Sequence, residues 1–197
     1  GPQPLRLDYW ERGLEAFAHQ GLRTLAAAYK PGTPGATALD HPDFQDGLVL
    51  LGVAGIMDPP RPEAIEAIAQ CNQAGIRVKM ITGDHPETAL AIGAMLGMTQ
   101  VRGAVTGAQL QQIGDDQLAA LARDHDIFAR TSPELKLRLV RALQTMGEVV
   151  GMTGDGVNDA PALKQADVGV AMGIKGTEVT KEAADMVLAD DNFASIA

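Results

Sequence analysis

Two Thr-Gly-Asp turns, at 82–84 and 153–155, constrain this chain most, because each ends a short apolar segment and opens a helical pattern. Around them the sequence alternates between helix and strand. Pro62–Ala74 carries Ile65, Ile68 and Ala69 on one helical face, and Ile76–Ile81 alternates as a strand before the first turn. Helices are expected over Pro86–Leu96 and Asp115–Arg123, and from the Ser132-Pro133-Glu134 cap through Met146. Short strands are expected at Ile127–Ala129 and at Glu148–Met152, the latter leading into the second turn. A helix from Asp159, a strand at Val168–Ala171, a helix near Glu178–Ala184 and a strand at Met186–Leu188 complete the pattern. Strands separated by helices at this spacing predict an α/β fold, a mostly parallel sheet with helices on both faces. In such sheets the chemistry gathers beyond the carboxyl ends of the strands, where both turns fall.

The first 57 residues read differently. A short amphipathic helix over Tyr9–Gln20 precedes strands at Leu22–Tyr29 and Gly47–Ile56, with a polar, proline-bearing loop between them. This is a small α+β piece. No apolar run is long enough to cross a bilayer; Gly47–Met57 has the length of a buried strand. No signal peptide is visible, and the opening Gly1-Pro2 without an initiator Met reads as a piece of something longer.

At 46% apolar and 21% charged residues, the composition is that of a globular protein rather than a disordered one. Sixteen basic residues against 25 acidic ones leave a net charge of −9, which argues against a nucleic-acid partner. It is compatible with a site that handles magnesium-bound phosphates. A single cysteine, Cys71, excludes an internal disulfide and is read as a buried structural thiol. The histidines, His19, His41, His85 and His125, show no paired metal spacing and are read as surface or structural.

Three strings carry chemistry. MTGDGVNDAPA, from Met152 to Ala162, delivers Asp155 to a strand end, with Gly154 and Gly156 allowing a tight turn. Asp159 can turn back to the same point. Two carboxylates and the Asn158 amide there suit Mg²⁺. The plainer reading is an acidic turn in which Asp159 caps the next helix. ITGDHPE, from Ile81 to Glu87, offers a hydroxyl and the N–H groups of a helix start, which can cradle a phosphoryl group or simply cap the helix. FARTSPELK places Lys136 in the first turn of a helix, against the helix dipole; a nearby phosphate would justify that charge.

These elements, in this order, resemble the haloacid-dehalogenase-like phosphotransferases. DPPRPEAIEAI, MITGDHPETALAIG, FARTSPELKLRLV and MTGDGVNDAPALKQADVGVAMGIKGTEVTKEAADMVLADDNF resemble, more narrowly, the phosphorylation domain of P-type cation-transporting ATPases. The wording is similar to the calcium, sodium–potassium and proton pump branch, and GLRTLAAAYK resembles the end of the preceding nucleotide-binding domain. The resemblance implies a haloacid-dehalogenase-like Rossmannoid fold. It divides the chain into a nucleotide-domain remnant, 1–57, and a phosphorylation domain, 58–197. It implies that Asp155 is the protein ligand of a catalytic Mg²⁺, with Asp159 and Asn158 organising the site. Thr82 and Gly83 would bind the transferred phosphoryl oxygens, and Lys136 would neutralise them. Asp84, Arg130, Arg23 and Asp58 would contact nucleotide or the hinge, with Arg61 in the same hinge.

The family's nucleophile is the aspartate of a DKTGT motif, and no such string occurs in these 197 residues. Asp58 is followed by prolines, and Asp40, Asp43 and Asp46 lie in the polar loop. The resemblance therefore implies part of an ATP-driven pump at the cytoplasmic face of a membrane. Its partners would be the DKTGT strand, the remaining nucleotide domain, an actuator domain, membrane helices and the transported cation. The alternatives are a stand-alone Mg²⁺- or phosphate-binding module and a dehalogenase-like phosphatase.

Overall fold

The computed structural model describes residues 3–32, 44–56, 59–98 and 102–196. The chain divides into two compact units, Gly1–Asp58 and Pro59–Ala197.

In the first unit, helix α1 (Leu7–His19) precedes an antiparallel pair, β1 (Arg23–Tyr29) and β2 (Val49–Ile56). Gly21, at φ 74°, ends the helix in a backbone conformation that side-chain-bearing residues resist. The strand register runs from Arg23 opposite Ile56 to Tyr29 opposite Val49, with a bulge between Ala27 and Ala28. Most of the loop expected between the strands, residues 33–43, lies outside the described residues, as do His41 and Asp58.

The second unit contains helices α2 (Pro62–Gln73), α3 (Pro86–Met95), α4 (Gly107–Gln111), α5 (Asp115–Asp124), α6 (Pro133–Thr145), α7 (Ala160–Gln165) and α8 (Glu178–Ala183). Its strands are β3 (Met80–Ile81), β4 (Ala104–Thr106), β5 (Ile127–Ala129), β6 (Gly151–Gly154), β7 (Val168–Met172) and β8 (Met186–Leu188). All pairings among these strands are parallel. β5 shows how the layers form. Its Phe128 packs with Leu110, Leu118, Leu135 and Leu139 of α4, α5 and α6, while Ile127 and Ala129 pack with Ile68 of α2 and Ala89 of α3. Alternate residues of one strand thus bury against helices on opposite faces, as the α/β reading expects.

Four details differ from the sequence expectation. The single parallel sheet is two three-stranded sheets, ordered β3-β5-β4 and β6-β7-β8, with no ladder between β3 and β6 among the described residues. The strand expected over Ile76–Ile81 shortens to Met80–Ile81, since its partner β5 begins only at Ile127, opposite Met80. Just before β5, buried Asp126 accepts from Arg77 Nε at 2.6 Å and Lys79 Nζ at 2.8 Å, and burial lowers the Lys79 ammonium from its usual value. The strand expected at Glu148–Met152 slides to Gly151–Gly154, so Thr153 and Gly154 belong to the ladder, opposite Val170 and Ala171. Finally, β4 and α4 are additional elements: Thr106 caps α4 in a reciprocal capping box with Gln109.

The entry to β6 is set by Asp167, whose carboxylate accepts from Val150 N at 2.8 Å and from Gln144 Nε2 at 3.1 Å. The Val150 N–H above all holds this carboxyl below the ordinary range. A carboxylate depressed in the folded state stabilises the fold above its unfolded value, near 3.9, and loses that contribution as pH falls through the folded value. Asp167→Asn should therefore be less stable than wild type at pH 6. Urea midpoints measured down the pH scale should converge below about pH 3.9. A gap that persists into acid would contradict the role given to the charge.

Candidate phosphate and metal site

The second Thr-Gly-Asp turn folds onto itself. After β6, residues Val157–Asp159 form one turn of 3₁₀ helix that opens α7. Asp159 is buried and bends back toward the strand: its N–H donates to Gly156 O at 2.8 Å, and its Oδ2 accepts from Gly156 N at 3.2 Å. Gly154 makes room for this. A Cβ on Gly154 would lie 2.5 Å from the Asp159 Cβ and 2.8 Å from its Cγ, closer than atoms can approach. The other Asp159 oxygen meets Lys136 Nζ at 2.6 Å, with side-chain exposures of 19% for the lysine and 8% for the aspartate. Lys136 stands in the first turn of α6, whose N-cap Ser132 accepts from Leu135 N. The charge expected to need a phosphate to offset the helix dipole thus has an internal counter-charge already.

Asp155 and Asn158 differ from Asp159 in being exposed. The Asp155 carboxylate forms no hydrogen bond or ion pair with another described side chain, whereas its main-chain carbonyl accepts from Thr177 N at 3.1 Å. Of the two carboxylates expected to share a cation, then, Asp159 is committed to Lys136 and Gly156, and Asp155 is open.

The first turn is organised from β3. Thr82 Oγ1 donates to Asp84 Oδ2 at 3.0 Å and accepts from Asp84 N at 3.1 Å, which closes the turn, while Gly83 is exposed. The Thr82 N–H continues the ladder to Phe128 O, and its carbonyl accepts from both the N–H and the hydroxyl of Thr131, each at 3.2 Å. Arg130 donates its N–H to Asp84 O at 3.2 Å and sits at φ 53°, a left-handed conformation costly for a non-glycine residue. The α3 helix is capped by His85, not by the Thr-Gly-Asp turn, through Nδ1 and the Glu87 N–H.

Thr82, Asp84, Arg130 and Thr131 therefore form one bonded cluster, and Lys136 and Asp159 a second. The segment from Arg130 to Lys136 joins them. Arg23 lies on exposed β1 of the other unit. Arg61, the N-cap of α2, donates to the Asp191 carbonyl at 3.5 Å. His125 Nδ1 lies 3.3 Å from the Gly103 carbonyl, and Cys71 is buried, as expected. Among the described residues no three His, Cys, Asp or Glu side chains gather as a metal cage. The residues that sequence reasoning missed, Thr131, Thr177, Thr180 and Asp191, act through main-chain groups brought close by the fold.

A family model described as haloacid dehalogenase-like hydrolase matches residues 7–167. This chain belongs to that family. Among relatives of this haloacid dehalogenase-like hydrolase, the cation-transporting ATPase pma1 of Synechocystis sp. is 54% identical over 188 residues, covering 94% of this chain and 21% of that protein. A calcium-transporting ATPase of Bacillus subtilis is 51% identical over 187 residues, 94% of this chain and 21% of the relative. A probable cation-transporting ATPase F of Mycobacterium tuberculosis is 50% identical over 190 residues, again 94% and 21%. The haloacid dehalogenase-like chain thus spans 21% of the length of each of these three. No helix among the described residues is long and apolar enough to cross a membrane.

Proposed function

We propose that this chain is part of the phosphorylation machinery of an ATP-driven cation pump that works through an aspartyl phosphate. The observation that supports this best is the Lys136–Asp159 pair beside the open Asp155 carboxylate: a cation held ready and a free metal ligand flank one strand end. Residues 58–197 are assigned to the phosphorylation domain and 1–57 to the end of the nucleotide-binding domain. The relatives, transporters by their printed names, support the same reading.

The donor set fits Mg²⁺. This ion keeps several waters and takes one or two carboxylates plus phosphate oxygens, so a single exposed Asp155 with the Asn158 amide nearby suffices. Bound there, Mg²⁺ supplies charge neutralisation to the phosphoryl oxygens of ATP, the substrate. The chain's own residues do the rest. Asp155 holds the ion, and Asp159 fixes the Lys136 ammonium so that it can share its protons with a phosphoryl oxygen. Gly83, and the Thr82 hydroxyl once it turns from Asp84, are assigned to the same group, and Asp84, Arg130, Arg23 and Asp58 are assigned to nucleotide or hinge contacts.

The nucleophile is assigned to a DKTGT strand outside these residues. Among the described residues β3 and β6, which lead into the two Thr-Gly-Asp turns, are edge strands. The open edge of either one is where a further parallel strand would add. The remaining nucleotide domain, an actuator domain, membrane helices and the transported cation are the other assigned partners, at the cytoplasmic face of a membrane.

The metal assignment is tested by Mg²⁺ titration of this chain, followed through the amide resonances of Gly154 and Gly156. Wild type should show weak, saturable shifts, because phosphate oxygens normally complete the shell. Asp155→Ala should show none. Equal affinity in both proteins would refute the assignment.

A further inference from the structure

Asp155 is held by its backbone rather than its side chain, and what holds it comes from far along the chain. On its amino side, β6 fixes it, with Gly154 laddered to Ala171. On its carbonyl side, the Asp155 oxygen accepts from Thr177 N at 3.1 Å, and Thr180 Oγ1 approaches it at 3.5 Å. Thr180 is fully buried, and its hydroxyl lies 2.6 Å from that of Thr177. The segment leading to Thr177, residues 173–176, is anchored at its other end. Gly173 N donates to Leu188 O at 2.8 Å, Ile174 N to Asp191 Oδ1 at 2.9 Å and Lys175 N to Asp191 Oδ2 at 2.8 Å. Between the anchors the turn is as tight as a chain allows, because a Cβ on Gly176 would collide with the Met172 carbonyl. Asp191 itself is buried, at 9% exposure, and adopts φ 52°, a conformation that the surrounding bonds must over-determine.

We infer that residues 173–177 form a strap that aims the Asp155 carboxylate at its cation, with Asp191 as the anchor and Thr180 as the latch, both positioning residues. The inference rests on the assignment of Asp155 to Mg²⁺. An exposed carboxylate with no side-chain partner has only its Cα–Cβ direction to define it, and that direction is set by the two peptide groups around it. Fixing both groups keeps the ligand close to productive geometry, which a metal or phosphoryl site needs to within about 0.5 Å. Asp191 uses one carboxylate oxygen for each of two successive N–H groups. An asparagine can accept only one of them, and its amide would face the other donor.

Three variants separate aiming from mere stability. Asp191→Asn and Thr180→Val, the latter keeping the shape of threonine without its hydroxyl, should each weaken Mg²⁺ binding about tenfold, as loss of an outer support typically does. Amide hydrogen exchange at Thr177 should quicken in both, and Thr180→Ser, which restores the hydroxyl, should bind Mg²⁺ as wild type does. The control is Asp185→Asn. Asp185 accepts from Gly169 N at 2.8 Å, near the opposite end of β7, so this variant should lose stability but keep its Mg²⁺ affinity. The measurement is the same Mg²⁺ titration at Gly154 and Gly156, on variants shown by circular dichroism to be folded. Wild-type affinity in Asp191→Asn and Thr180→Val, alongside lost binding in Asp155→Ala, overturns the strap alone. Equal weakening in Asp185→Asn overturns it too. Undiminished binding in Asp155→Ala overturns the metal assignment and the strap with it.

Discussion

Lys136→Met is expected to destabilise this chain by about 3 kcal/mol, the low end for breaking a buried ion pair, because the lysine keeps 19% of its side chain exposed. For a domain of this size that corresponds to a melting temperature lower by roughly 6–12 °C. The asymmetry of the pair sets the sign. Removing the ammonium leaves a carboxylate that is 8% exposed with, among the described groups, only the Gly156 N–H to satisfy it, an uncompensated buried charge. Asp159→Asn is expected to cost less, since the freed Lys136 head can reach water along its flexible stem. The double variant should recover most of the loss from Lys136→Met, giving a coupling energy of about 1–3 kcal/mol in a double-mutant cycle. Additive losses would mean that the two groups, although 2.6 Å apart, do not depend on each other.

Catalysis by this chain alone should be at background. A covalent aspartyl phosphate needs a carboxylate held in line with the γ-phosphate, and no DKTGT string in these residues supplies one; several described aspartates are tied up elsewhere. Asp159 is bound to Lys136 and Gly156, Asp84 to the Thr82 hydroxyl, Asp191 to the strap and Asp46 to Lys30. Asp155, whose carboxylate has no partner among the described side chains, is assigned to the metal. Given ATP and Mg²⁺, the purified chain is expected to form no acid-stable, hydroxylamine-sensitive phosphoenzyme and to release phosphate no faster than buffer. A stoichiometric label on any of its own aspartates would contradict this.

What the sequence discloses about this molecule depends on how local each feature is. β6, Asp155 and the Asp159 turn are written within nine residues as strand, glycine and carboxylate, and the fold keeps them together. The Thr82–Asp84 turn is equally local. The helices on both faces follow from apolar spacing, with Phe128 and its neighbours Ile127 and Ala129 facing opposite ways. β4, with no apolar run behind its three residues, offers too little pattern to read, and the bounds of β6 follow from its pairing with β7, which the local sequence does not show. That Asp159 rather than phosphate offsets Lys136 was not legible, because the partners are 23 residues apart and meet only after α6 packs on α7. Asp191 and Thr180 were illegible for a stronger reason. They act on main-chain N–H and C=O groups, 17 and 25 residues away, and those groups carry no sequence signature.

The central claim is that this chain supplies metal- and phosphate-binding groups to a nucleophile carried elsewhere. The most direct test mixes it with a separate polypeptide bearing a DKTGT strand and the remaining nucleotide-binding domain, in the presence of radiolabelled ATP and Mg²⁺. The account predicts hydroxylamine-sensitive label on the added polypeptide alone, and none when the chain carries Asp155→Ala or Lys136→Met. Label on this chain, or labelling of the added piece that is indifferent to Asp155 and Lys136, would contradict it.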